Sequence, residues 1–375
     1  MKIRVEASST SHAKPTGVGL YTKRLVEALV RQKKADLFVS HFNFLGRQHK
    51  PDVEGSYHLE TISFPERVYA KLHFYGIAPP IDLFRPKVDY TFFPNYVLWP
   101  TMRSRKTIVT VHDLSFVKFP EVVEVKNLAY LHKVVAPSVR KASVVLTVSE
   151  TMKSEIVEHF HIPASKILVT HIPPSGIFYE TSSLDVYSLY NIPTKKYMMF
   201  ASTIEPRKNL SVLLRAYEKL PARLQKEYSL VIAGGLGWQS EDIAEDIKRL
   251  QKRYPNVVLT GHFSQTQAVA LYQNASIFIM PSLYEGFGMP VLEAMITNTP
   301  VIASDIPVLR EVCGDAGLFF PVHDETMLAH QIENLAGDVK LQKSLVKLGH
   351  KNLERFNWDS IAANLLLELE KRLKP

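Results

Sequence analysis

Short runs of strand-forming residues alternate with longer amphipathic runs along almost the whole chain, and this alternation restricts the fold more than any other feature. Several of the short runs are apolar without interruption, which is typical of parallel strands buried on both faces. A chain that alternates strands and helices in this way forms parallel sheets covered by helices. The sequence therefore predicts an α/β fold.

The predicted strands are residues 2–7, 36–40, 89–93, 107–111, 143–148 and 166–171 in the first half, and 197–201, 229–233, 256–259, 276–280, 300–303 and 317–320 in the second. The predicted helices are residues 19–32, 127–141, 149–160, 209–219, 241–253, 264–273, 290–296 and 324–335, followed by a final helix that begins at Trp358.

A length of 375 residues is too great for one ordinary domain and suits two domains of roughly 150–200 residues each. Both halves show the same alternation, and the strongest break between them is Pro173-Pro174-Ser175-Gly176. We therefore predict two Rossmann-like domains, at residues 1–178 and 179–355. The final helix is rich in leucine, so it must pack on one of them; its leucines are Leu365, Leu366, Leu367, Leu369 and Leu373.

The composition is that of a globular protein, with 46% apolar and 22% charged residues, and it excludes a disordered, fibrous or disulfide-stapled chain. The single cysteine, Cys313, has no partner for an internal disulfide and fits a reducing, cytoplasmic compartment. No run reaches the roughly 18 apolar residues of a membrane-spanning helix, and the charged N-terminus is unlike a signal peptide. We expect a soluble cytoplasmic protein, which could still lie at the inner face of a membrane.

The net charge of +8 lies entirely in the first half of the chain. Residues 1–180 contain 24 Lys and Arg against 16 Asp and Glu, whereas residues 181–375 contain 21 of each. An anionic membrane surface attracts such an excess, but solvated helix faces explain it equally well. Nucleic acid is not an expected partner because no nucleic-acid-binding motif accompanies the charge. The basic clusters are Lys23, Arg24, Arg31, Lys33 and Lys34, then Arg103, Arg105 and Lys106, and the aromatic-rich segment 67–85.

A glycine-rich loop follows the predicted strand 276–280, and Pro290 stands where the next helix should begin. Loops at the carboxyl ends of parallel strands form the ligand site of an open α/β sheet. Gly286 and Gly288 allow close approach of the backbone, and a helix start favours an anion. Glu285 and Glu293 would then accept hydrogen bonds from hydroxyls. This combination predicts a nucleotide sugar as ligand, whereas the alternative is a plain turn with Glu293 near the positive end of a helix dipole.

Arg207 and Lys208 follow the first strand of the second half, again at a helix entrance. The planar fork of arginine and the point charge of lysine together suit a diphosphate. The alternative is a solvated basic pair, but the position at a strand end favours binding.

These segments together resemble the retaining family 4 glycosyltransferases, also called glycosyltransferase group 1. Glu285 and Glu293 match the E-x7-E motif of that family, and the segment 205–209, Glu-Pro-Arg-Lys-Asn, resembles its diphosphate-binding stretch. Gly261-His262-Phe263 lies in the matching position ahead of the motif strand. The resemblance spans nearly the whole chain and is densest at residues 197–322.

The resemblance implies a GT-B fold, in which two Rossmann-like domains face a central cleft and a C-terminal helix, residues 356–375, crosses back to the first domain. It implies that the first domain binds the acceptor and the second the nucleotide-sugar donor. Arg207 and Lys208 would neutralise the donor diphosphate, and Glu293 would bind the ribose hydroxyls. Glu285 would hold the transferred sugar together with the loop. The other donor-binding residues implied are Gly261, His262, Phe263, Gly286, Phe287, Gly288, Met289, Val291 and Leu292.

In the first domain, Gly17 and Gly19 would face the donor phosphates from a loop after the first strand, and His112 would lie beside the donor sugar. Asp113 follows His112, so a structural His–Asp hydrogen bond is the alternative there. The family's Pro-Asn-Gly interdomain link is replaced here by Pro173–Gly176, and no donor contact is carried over to it. No Asp-x-Asp and no set of His, Asp and Glu at metal-ligand spacing occurs, so neither a metal nor a cofactor is expected.

The sequence thus predicts an enzyme that transfers a hexose from a GDP- or UDP-linked donor to a glycan or lipid-linked acceptor, with retention and without metal. The segment 110–116 looks most like mannosyltransferases of surface-polysaccharide assembly. The leaving phosphate would deprotonate the acceptor hydroxyl, with Glu285 as a covalent nucleophile the less favoured alternative. Two other functions stay open. A nicotinamide oxidoreductase lacks its third glycine, replaced by Thr22, and a convincing ribose-binding acid. A non-catalytic nucleotide-sugar-binding module would not need both glutamates and both cations intact.

Overall fold

The computed structural model describes residues 1–11, 16–46 and 49–374. Within them the chain forms two compact units. The first contains residues 1–116, 124–172 and 357–374, and the second contains residues 117–123 and 173–356. The second unit therefore begins at Pro173, ahead of the residue 179 predicted from sequence, and it includes a short segment from the first half of the chain that was not predicted.

The described part of the first unit is built on a seven-stranded, fully parallel sheet with the strand order β3-β2-β1-β4-β5-β6-β7. The strands are β1 (Lys2–Glu6), β2 (Asp36–Phe42), β3 (His58–Ile62), β4 (Val88–Phe93), β5 (Ser104–Val111), β6 (Val144–Thr147) and β7 (Ile167–Val169). The helices in this part of the chain are α1 (Gly17–Gln32), α2 (Glu66–Phe74), α3 (Ser115–Lys118), α4 (Val125–Lys141) and α5 (Glu150–Phe160).

Continuous burial explains why most of these strands could be predicted, and β3 shows where the prediction failed. Every residue of β6 is buried, as is every residue of β4 except the half-buried Asp89. Strand β3, by contrast, is a polar edge strand in which only Glu60 and Ile62 are buried, whereas its Leu59 is exposed. The Glu60 carboxylate is held by the fully buried Arg4, whose Nε lies 2.7 Å from Glu60 Oε2. A buried ion pair therefore attaches this edge strand to the sheet, whereas the central strands are held by apolar packing.

The second unit contains a six-stranded parallel sheet in its described residues, with the order β10-β9-β8-β11-β12-β13. The strands are β8 (Lys196–Ala201), β9 (Tyr228–Ala233), β10 (Val257–Gly261), β11 (Ile277–Met280), β12 (Val301–Ser304) and β13 (Gly317–Phe320). The helices are α6 (Val186–Tyr190), α7 (Leu210–Lys219), α8 (Ala222–Glu227), α9 (Glu241–Arg253), α10 (Gln265–Asn274), α11 (Met289–Ile296), α12 (Pro307–Cys313), α13 (Glu325–Gly337) and α14 (Val339–Leu353). Each strand and helix predicted from sequence is present within a few residues of its predicted bounds.

The final helix, α15 (Trp358–Leu373), packs on the first unit, as the resemblance implied. It buries Ala362, Leu365, Leu366 and Leu369. Arg31 of α1 donates to Asp359 at 2.8 Å, and the Tyr90 hydroxyl of β4 donates to the Leu369 carbonyl at 3.0 Å. The leucine-rich face predicted to need a partner therefore has one in the first unit.

The carboxyl ends of parallel strands share one edge of their sheet, and the loops that follow them form the usual ligand site of such folds. In the second unit these are the loops after β8, β9, β10 and β11. None of the helices in the described residues is both long enough and apolar enough to span a lipid bilayer.

Candidate functional site

The loop after β8 brings two cations to the carboxyl edge of the second sheet. A short 3-10 helix, Pro206–Lys208, follows the strand, and Asn209 leads into α7 with a left-handed φ of 53°. Lys208 is only 7% exposed, so it is not a solvated surface lysine. The solvated alternative is therefore wrong for Lys208, and the binding of a diphosphate by this pair stays a prediction.

Asn209 was not predicted as a site residue, yet its side chain ties three loops together. Its Nδ2 donates to the Pro281 carbonyl at 3.0 Å and to the Val322 carbonyl at 2.7 Å. These carbonyls follow β11 and β13, whereas Asn209 itself follows β8. The available signal was a short amide side chain at a helix entrance directly after two cations, a position where asparagine tolerates the left-handed conformation.

Glu285, in the loop after β11, accepts bonds from both cations. Lys208 Nζ lies 2.6 Å from its Oε1, and Arg207 Nη1 lies 3.3 Å from its Oε2. The Ser282 hydroxyl donates to Oε1 at 2.8 Å. Burial by itself would raise the pKa of Glu285, but the charges of Lys208 and Arg207 and these hydrogen bonds hold it below its usual value. Glu285 is therefore ionised at neutral pH.

A second carboxylate, Glu205, makes the cluster electrically balanced. Its Oε1 lies 2.6 Å from Arg207 Nε, and Arg207 also donates to the Tyr284 carbonyl at 3.2 Å. The sequence assigned the cations to a diphosphate and Glu285 to a sugar as separate contacts. The structure instead joins them in one ion-pair network, in which two cations face two carboxylates.

The loop from Gly286 to Met289 requires glycine at one position. Gly288 has a φ of 106°, and a Cβ there would lie 2.8 Å from Leu309 Cδ2. It precedes α11, whose first residues supply amides at the helix start. Phe287 packs edge-on against Phe356, with ring centroids 5.8 Å apart. Both contacts fix the path of this loop at the strand edge.

Val291 and Leu292, which the resemblance also implies for donor binding, lie in the first turn of α11. Both side chains are fully buried in the hydrophobic core of the second unit. Only their main chain can contact a ligand, so the structure does not place these two side chains in the site.

The loop after β10 presents the predicted Gly261-His262-Phe263 at the same edge. Gly261 has a φ of 70°, and the His262 side chain is exposed. The His262 ring covers Gly235, where a Cβ would lie 2.4 Å from the ring. Gly234 approaches the loop after β8 even more closely, since its Cβ would lie 1.8 Å from the Ser202 carbonyl. Gly234 and Gly235 were missed, although two glycines directly after the predicted strand 229–233 were a usable signal.

His112 follows β5 in the first unit. Its Nε2 lies 2.7 Å from the Pro94 carbonyl, and its ring meets Tyr21 edge-on at 4.9 Å. A carbonyl only accepts, so Nε2 carries the proton and Nδ1 of the neutral ring is an acceptor. Burial lowers the pKa of His112, which favours this neutral form.

The Asp113 carboxylate accepts hydrogen bonds from groups other than His112, which argues against the alternative of a structural His–Asp hydrogen bond. The Tyr96 hydroxyl donates to Asp113 Oδ1 at 3.1 Å, and the Ser115 hydroxyl donates to the same oxygen at 2.8 Å. Asp113 therefore organises the loop after β5.

The sequence analysis placed Gly17 and Gly19 in a loop after the first strand. In the structure both residues lie in the first turn of α1. The N-cap Thr16 accepts a hydrogen bond from the Gly19 amide at 3.3 Å. A Cβ on Gly17 would meet no atom within 4 Å. Capping by Thr16 starts the helix at Gly17, which explains why no loop is found there. The space around Gly17 would also accept a larger residue.

Comparison with known proteins shows the family of the chain. Residues 15–173 match the family model described as Glycosyltransferase Family 4, and residues 189–352 match that described as Glycosyl transferases group 1. O-antigen chain mannosyltransferase B of Escherichia coli is 30% identical over 359 residues, which cover 92% of this chain and 93% of that protein. This chain belongs to the family 4 glycosyltransferases.

Solved structures show the fold of this glycosyltransferase. Sucrose-phosphate synthase from Thermosynechococcus elongatus superimposes with a TM-score of 0.72 at 19% identity and covers 99% of this chain and 98% of its own. Anabaena HepE, in complex with UDP and glucose, superimposes with a TM-score of 0.70 at 17% identity over 99% of this chain and 100% of its own. The glycosyltransferase therefore has the GT-B fold, as the family resemblance implied.

The two motif glutamates of the glycosyltransferase lie in opposite electrostatic environments. Glu285 is surrounded by cations, whereas Glu293, in the second turn of α11, is hydrogen-bonded by the Tyr272 hydroxyl. Burial raises the pKa of Glu293 to about 7, with Tyr272 acting against that rise. Near neutral pH Glu293 can thus gain or lose a proton while Glu285 stays ionised. Within the described residues no group of three or more His, Cys, Asp or Glu side chains is placed to hold a metal ion.

Proposed function

We propose that this glycosyltransferase moves a hexose, with mannose favoured, from a GDP- or UDP-linked donor to a glycan or lipid-linked acceptor in polysaccharide assembly. Retention of the anomeric configuration and independence from metal are part of the proposal. The observation that carries it is the cluster of Arg207, Lys208 and Glu285 at the sheet edge, directly before the start of α11. The relative O-antigen chain mannosyltransferase B supports mannose as the transferred sugar.

In the proposed mechanism, the donor diphosphate gains negative charge as its bond to the sugar breaks. Arg207, Lys208 and the amides at the start of α11 stabilise that charge, which is the kind of interaction that contributes most to many enzymatic rates. Without donor, Glu285 balances the same two cations. A bound diphosphate takes over part of that role and leaves Glu285 able to accept hydrogen bonds from the sugar.

His112 and the leaving phosphate complete the proposed transfer. The leaving phosphate oxygen takes the proton of the acceptor hydroxyl, which attacks from the same face and so retains the configuration. The unprotonated Nδ1 of His112 accepts a hydrogen bond from a hydroxyl of the donor sugar. Glu285 as a covalent nucleophile is disfavoured, because Lys208 and Arg207 lower its pKa and with it its basicity.

Turnover with a panel of donors tests the proposal. The panel contains GDP-mannose, UDP-mannose, GDP-glucose and UDP-glucose, each supplied with mannose-terminated acceptors. The anomeric configuration of each product is determined by NMR. We expect transfer from one of these donors with the donor's anomeric configuration preserved. An inverted product, or transfer that requires added divalent metal, would contradict the mechanism. Binding of a donor without any turnover would favour the alternative of a non-catalytic module.

We also propose that the first unit associates with an anionic membrane surface at the cytoplasmic face. Its large exposed apolar side chains include Phe84, which is 94% exposed, and Tyr75, which is 71% exposed. Met102 is also exposed. It lies close to Phe84, since the Met102 amide donates to Asp82 at 2.7 Å and the Arg103 side chain donates to the Leu83 carbonyl at 3.1 Å. Basic side chains therefore lie among exposed apolar ones, a combination that anionic lipid attracts.

Liposome co-sedimentation tests this association. Wild-type protein should bind vesicles that contain anionic lipid, less so at high salt, and Phe84→Ser should weaken binding several-fold. Trp238→Ser is the matched control, because Trp238 is an exposed aromatic residue of the second unit. Binding that is indifferent to anionic lipid, or equal loss in both variants, would remove the proposal.

A further inference from the structure

Tyr96, in the loop after β4, has a backbone conformation that is unusual for an aromatic residue. Its φ is 30°, on the positive side that glycine and asparagine enter more easily. Its amide donates to the Thr110 carbonyl of β5 at 2.8 Å, which holds this conformation in place. Backbone strain of this kind persists only where the surroundings impose it, and it concentrates at functional sites. Glycine would lower the strain, so the reason for a tyrosine at this position lies in its side chain.

The Tyr96 hydroxyl connects the loop after β4 to the loop after β5. It donates to Asp113 Oδ1 at 3.1 Å, and the Asp113 amide donates to it at 3.2 Å. Together with its contact to Thr110, Tyr96 thus holds the chain on both sides of His112. Tyr96 was not predicted as a site residue, because Asp113 is 17 positions away and meets it only through the pairing of β4 with β5.

The His112 ring is held from three sides. Its Nε2 donates to the carbonyl of Pro94, which is in the same loop as Tyr96, at 2.7 Å. The Tyr96 ring meets it at 72° with ring centroids 5.9 Å apart, and the Tyr21 ring meets it at 89° with centroids 4.9 Å apart. Tyr21 is itself fixed, since its hydroxyl shares a hydrogen bond of 2.8 Å with the Thr170 hydroxyl. The Pro94 contact therefore sets which ring nitrogen carries the proton, and the two tyrosine rings set the direction of the other nitrogen.

Three titratable groups lie next to His112, and one of them acts against its neutral form. Tyr21, from α1, is uncharged at neutral pH because burial raises its pKa to about 12. Tyr96 and Asp113 come from the loops after β4 and β5. The negative charge of Asp113 acts to raise the pKa of His112, against the larger effect of burial. The Tyr96 hydroxyl, like the amide and hydroxyl of Ser115, donates to Asp113 Oδ1 and so offsets part of that charge.

We propose that Tyr96 is a positioning residue for His112, which keeps the imidazole neutral and in the one orientation that the transfer uses. This inference rests on the proposed glycosyl transfer and adds to it a residue on which the reaction depends. Tyr96 touches no reacting atom: its ring fixes the imidazole by contact, and its hydroxyl acts through Asp113. A residue that only packed the loop would change stability and leave the titration of His112 as it is.

Titration of the His112 ring, followed by NMR without donor, tests the positioning directly. Wild-type His112 should be neutral, with the proton on Nε2 and a pKa below its usual value. Tyr96→Phe keeps the ring and removes the hydroxyl, so more of the Asp113 charge reaches His112 and its pKa should rise. Tyr96→Asn removes the ring as well, so water reaches the imidazole, the pKa should rise further and the second tautomer should appear. Asparagine accepts a left-handed φ, so the backbone of the loop is preserved in this variant.

The matched control is Tyr187→Phe, which removes the same hydroxyl from a tyrosine of α6 in the second unit. The Tyr187 hydroxyl also donates to the carbonyl of another residue, Lys195, at 3.0 Å, and its ring also meets an aromatic ring edge-on, that of Tyr197. This variant should leave the His112 titration and turnover as they are in wild-type protein.

The same variants in a transfer assay add a kinetic measurement. Neutral His112 is the form that acts, so turnover is lost as the pH falls through its pKa, and this acid limb should move to higher pH in both Tyr96 variants. At saturating donor, kcat should fall about 10-fold or more in Tyr96→Asn, because a small displacement of a group at the reacting centre is costly. The donor KM should change less than kcat does.

The outcomes distinguish this inference from the proposed function. A wild-type tautomer and pKa of His112 in both Tyr96 variants, or a wild-type kcat and pH profile in both, would overturn the inference. The same changes in Tyr187→Phe would overturn it too, because they would show that the effect is not specific to Tyr96. A His112 titration that follows the expected pattern without transfer from any donor would instead contradict the proposed function alone.

Discussion

At the scale of single residues, the most constrained charge in the second unit is the carboxylate of Glu285. It is nearly buried and shares its two oxygens between Lys208, Arg207 and Ser282. A buried ion pair loses much of its Coulombic gain to desolvation, but removing one partner leaves the other charge unpaired in a poor solvent. Lys208 therefore contributes to the stability of the second unit through its ion pair with Glu285, and in the proposed mechanism it also contributes to turnover. These two contributions can be measured separately.

A double-mutant cycle on Lys208 and Glu285 separates them. Lys208→Met should lower the free energy of unfolding by about 2–3 kcal/mol, and adding Glu285→Gln should restore part of that loss, because it removes a buried carboxylate that has lost its shorter ion pair. Turnover should fall at least ~100-fold in both single variants and should not recover in the double variant. The cycle is measured by urea unfolding and initial rates. Additive unfolding energies would show that the two side chains are not coupled.

Glu293 gives the donor affinity a pH dependence. Its carboxyl is protonated below a pKa of about 7. The family resemblance predicts that Glu293 binds the ribose hydroxyls, and ionisation would improve it as their acceptor. Donor affinity should therefore rise as the pH increases through about 7, and a proton should be released on binding below that pH. Glu293→Gln should bind the donor more weakly and without this slope.

Calorimetric titration with an intact nucleotide sugar measures the effect. A nucleoside diphosphate is unsuitable, because its terminal phosphate titrates near pH 6 by itself. A donor affinity that is flat with pH in wild-type protein, or an unchanged slope in Glu293→Gln, would contradict the assignment of Glu293 to the ribose.

At the scale of elements, the loop between β11 and α11 shows how backbone geometry positions the site. Gly288 combines a left-handed φ with contact against Leu309, so two independent constraints exclude a side chain. Gly17, in the first turn of α1, is under neither constraint. The two glycines were both assigned to donor binding from sequence, and they now make a matched pair.

Gly288→Ala should destabilise the second unit by about 1–3 kcal/mol and weaken donor binding, because the α11 helix start must shift. Gly17→Ala should be neutral or stabilising by up to about 1 kcal/mol, since alanine favours helix. Thermal unfolding and donor titration of both variants provide the measurement. Loss of donor affinity in a well-folded Gly17→Ala variant would show that Gly17 contacts the donor after all.

Sequence reasoning found the strands whose burial is continuous, and it missed α14 and β3, whose buried faces include polar or small residues. Helix α14 buries Gly349 and Asn352 beside Leu345, so its apolar stripe is interrupted. Strand β3 buries Glu60 against Arg4. At the site, the strand-end motifs were predictable because they are local. The network of Glu285 with Arg207 and Lys208 was not, because its members are 77 and 78 positions apart and meet only through strand order.

At the scale of the whole molecule, α15 belongs to the first unit although it follows the second in sequence. Leu366 is 1% exposed, whereas its neighbour Leu367 is 51% exposed, so the helix presents one definite face. Leu366→Asp should destabilise the first unit by several kcal/mol, because it buries a carboxylate without a partner. Leu367→Asp should change stability by less than about 0.5 kcal/mol. Differential scanning calorimetry of both variants checks this, and equal effects would mean that α15 is rotated relative to its assigned face.

The position of α15 also determines the order in which this glycosyltransferase is completed during synthesis. The ribosome releases the first seven strands long before residues 358–373 emerge. Until then α1 lacks Asp359 as partner for Arg31, and Tyr90 lacks the Leu369 carbonyl. The unit that is translated first is thus finished last, and a nascent chain that stalls inside the second unit leaves an uncovered apolar surface for chaperones and proteases to recognise.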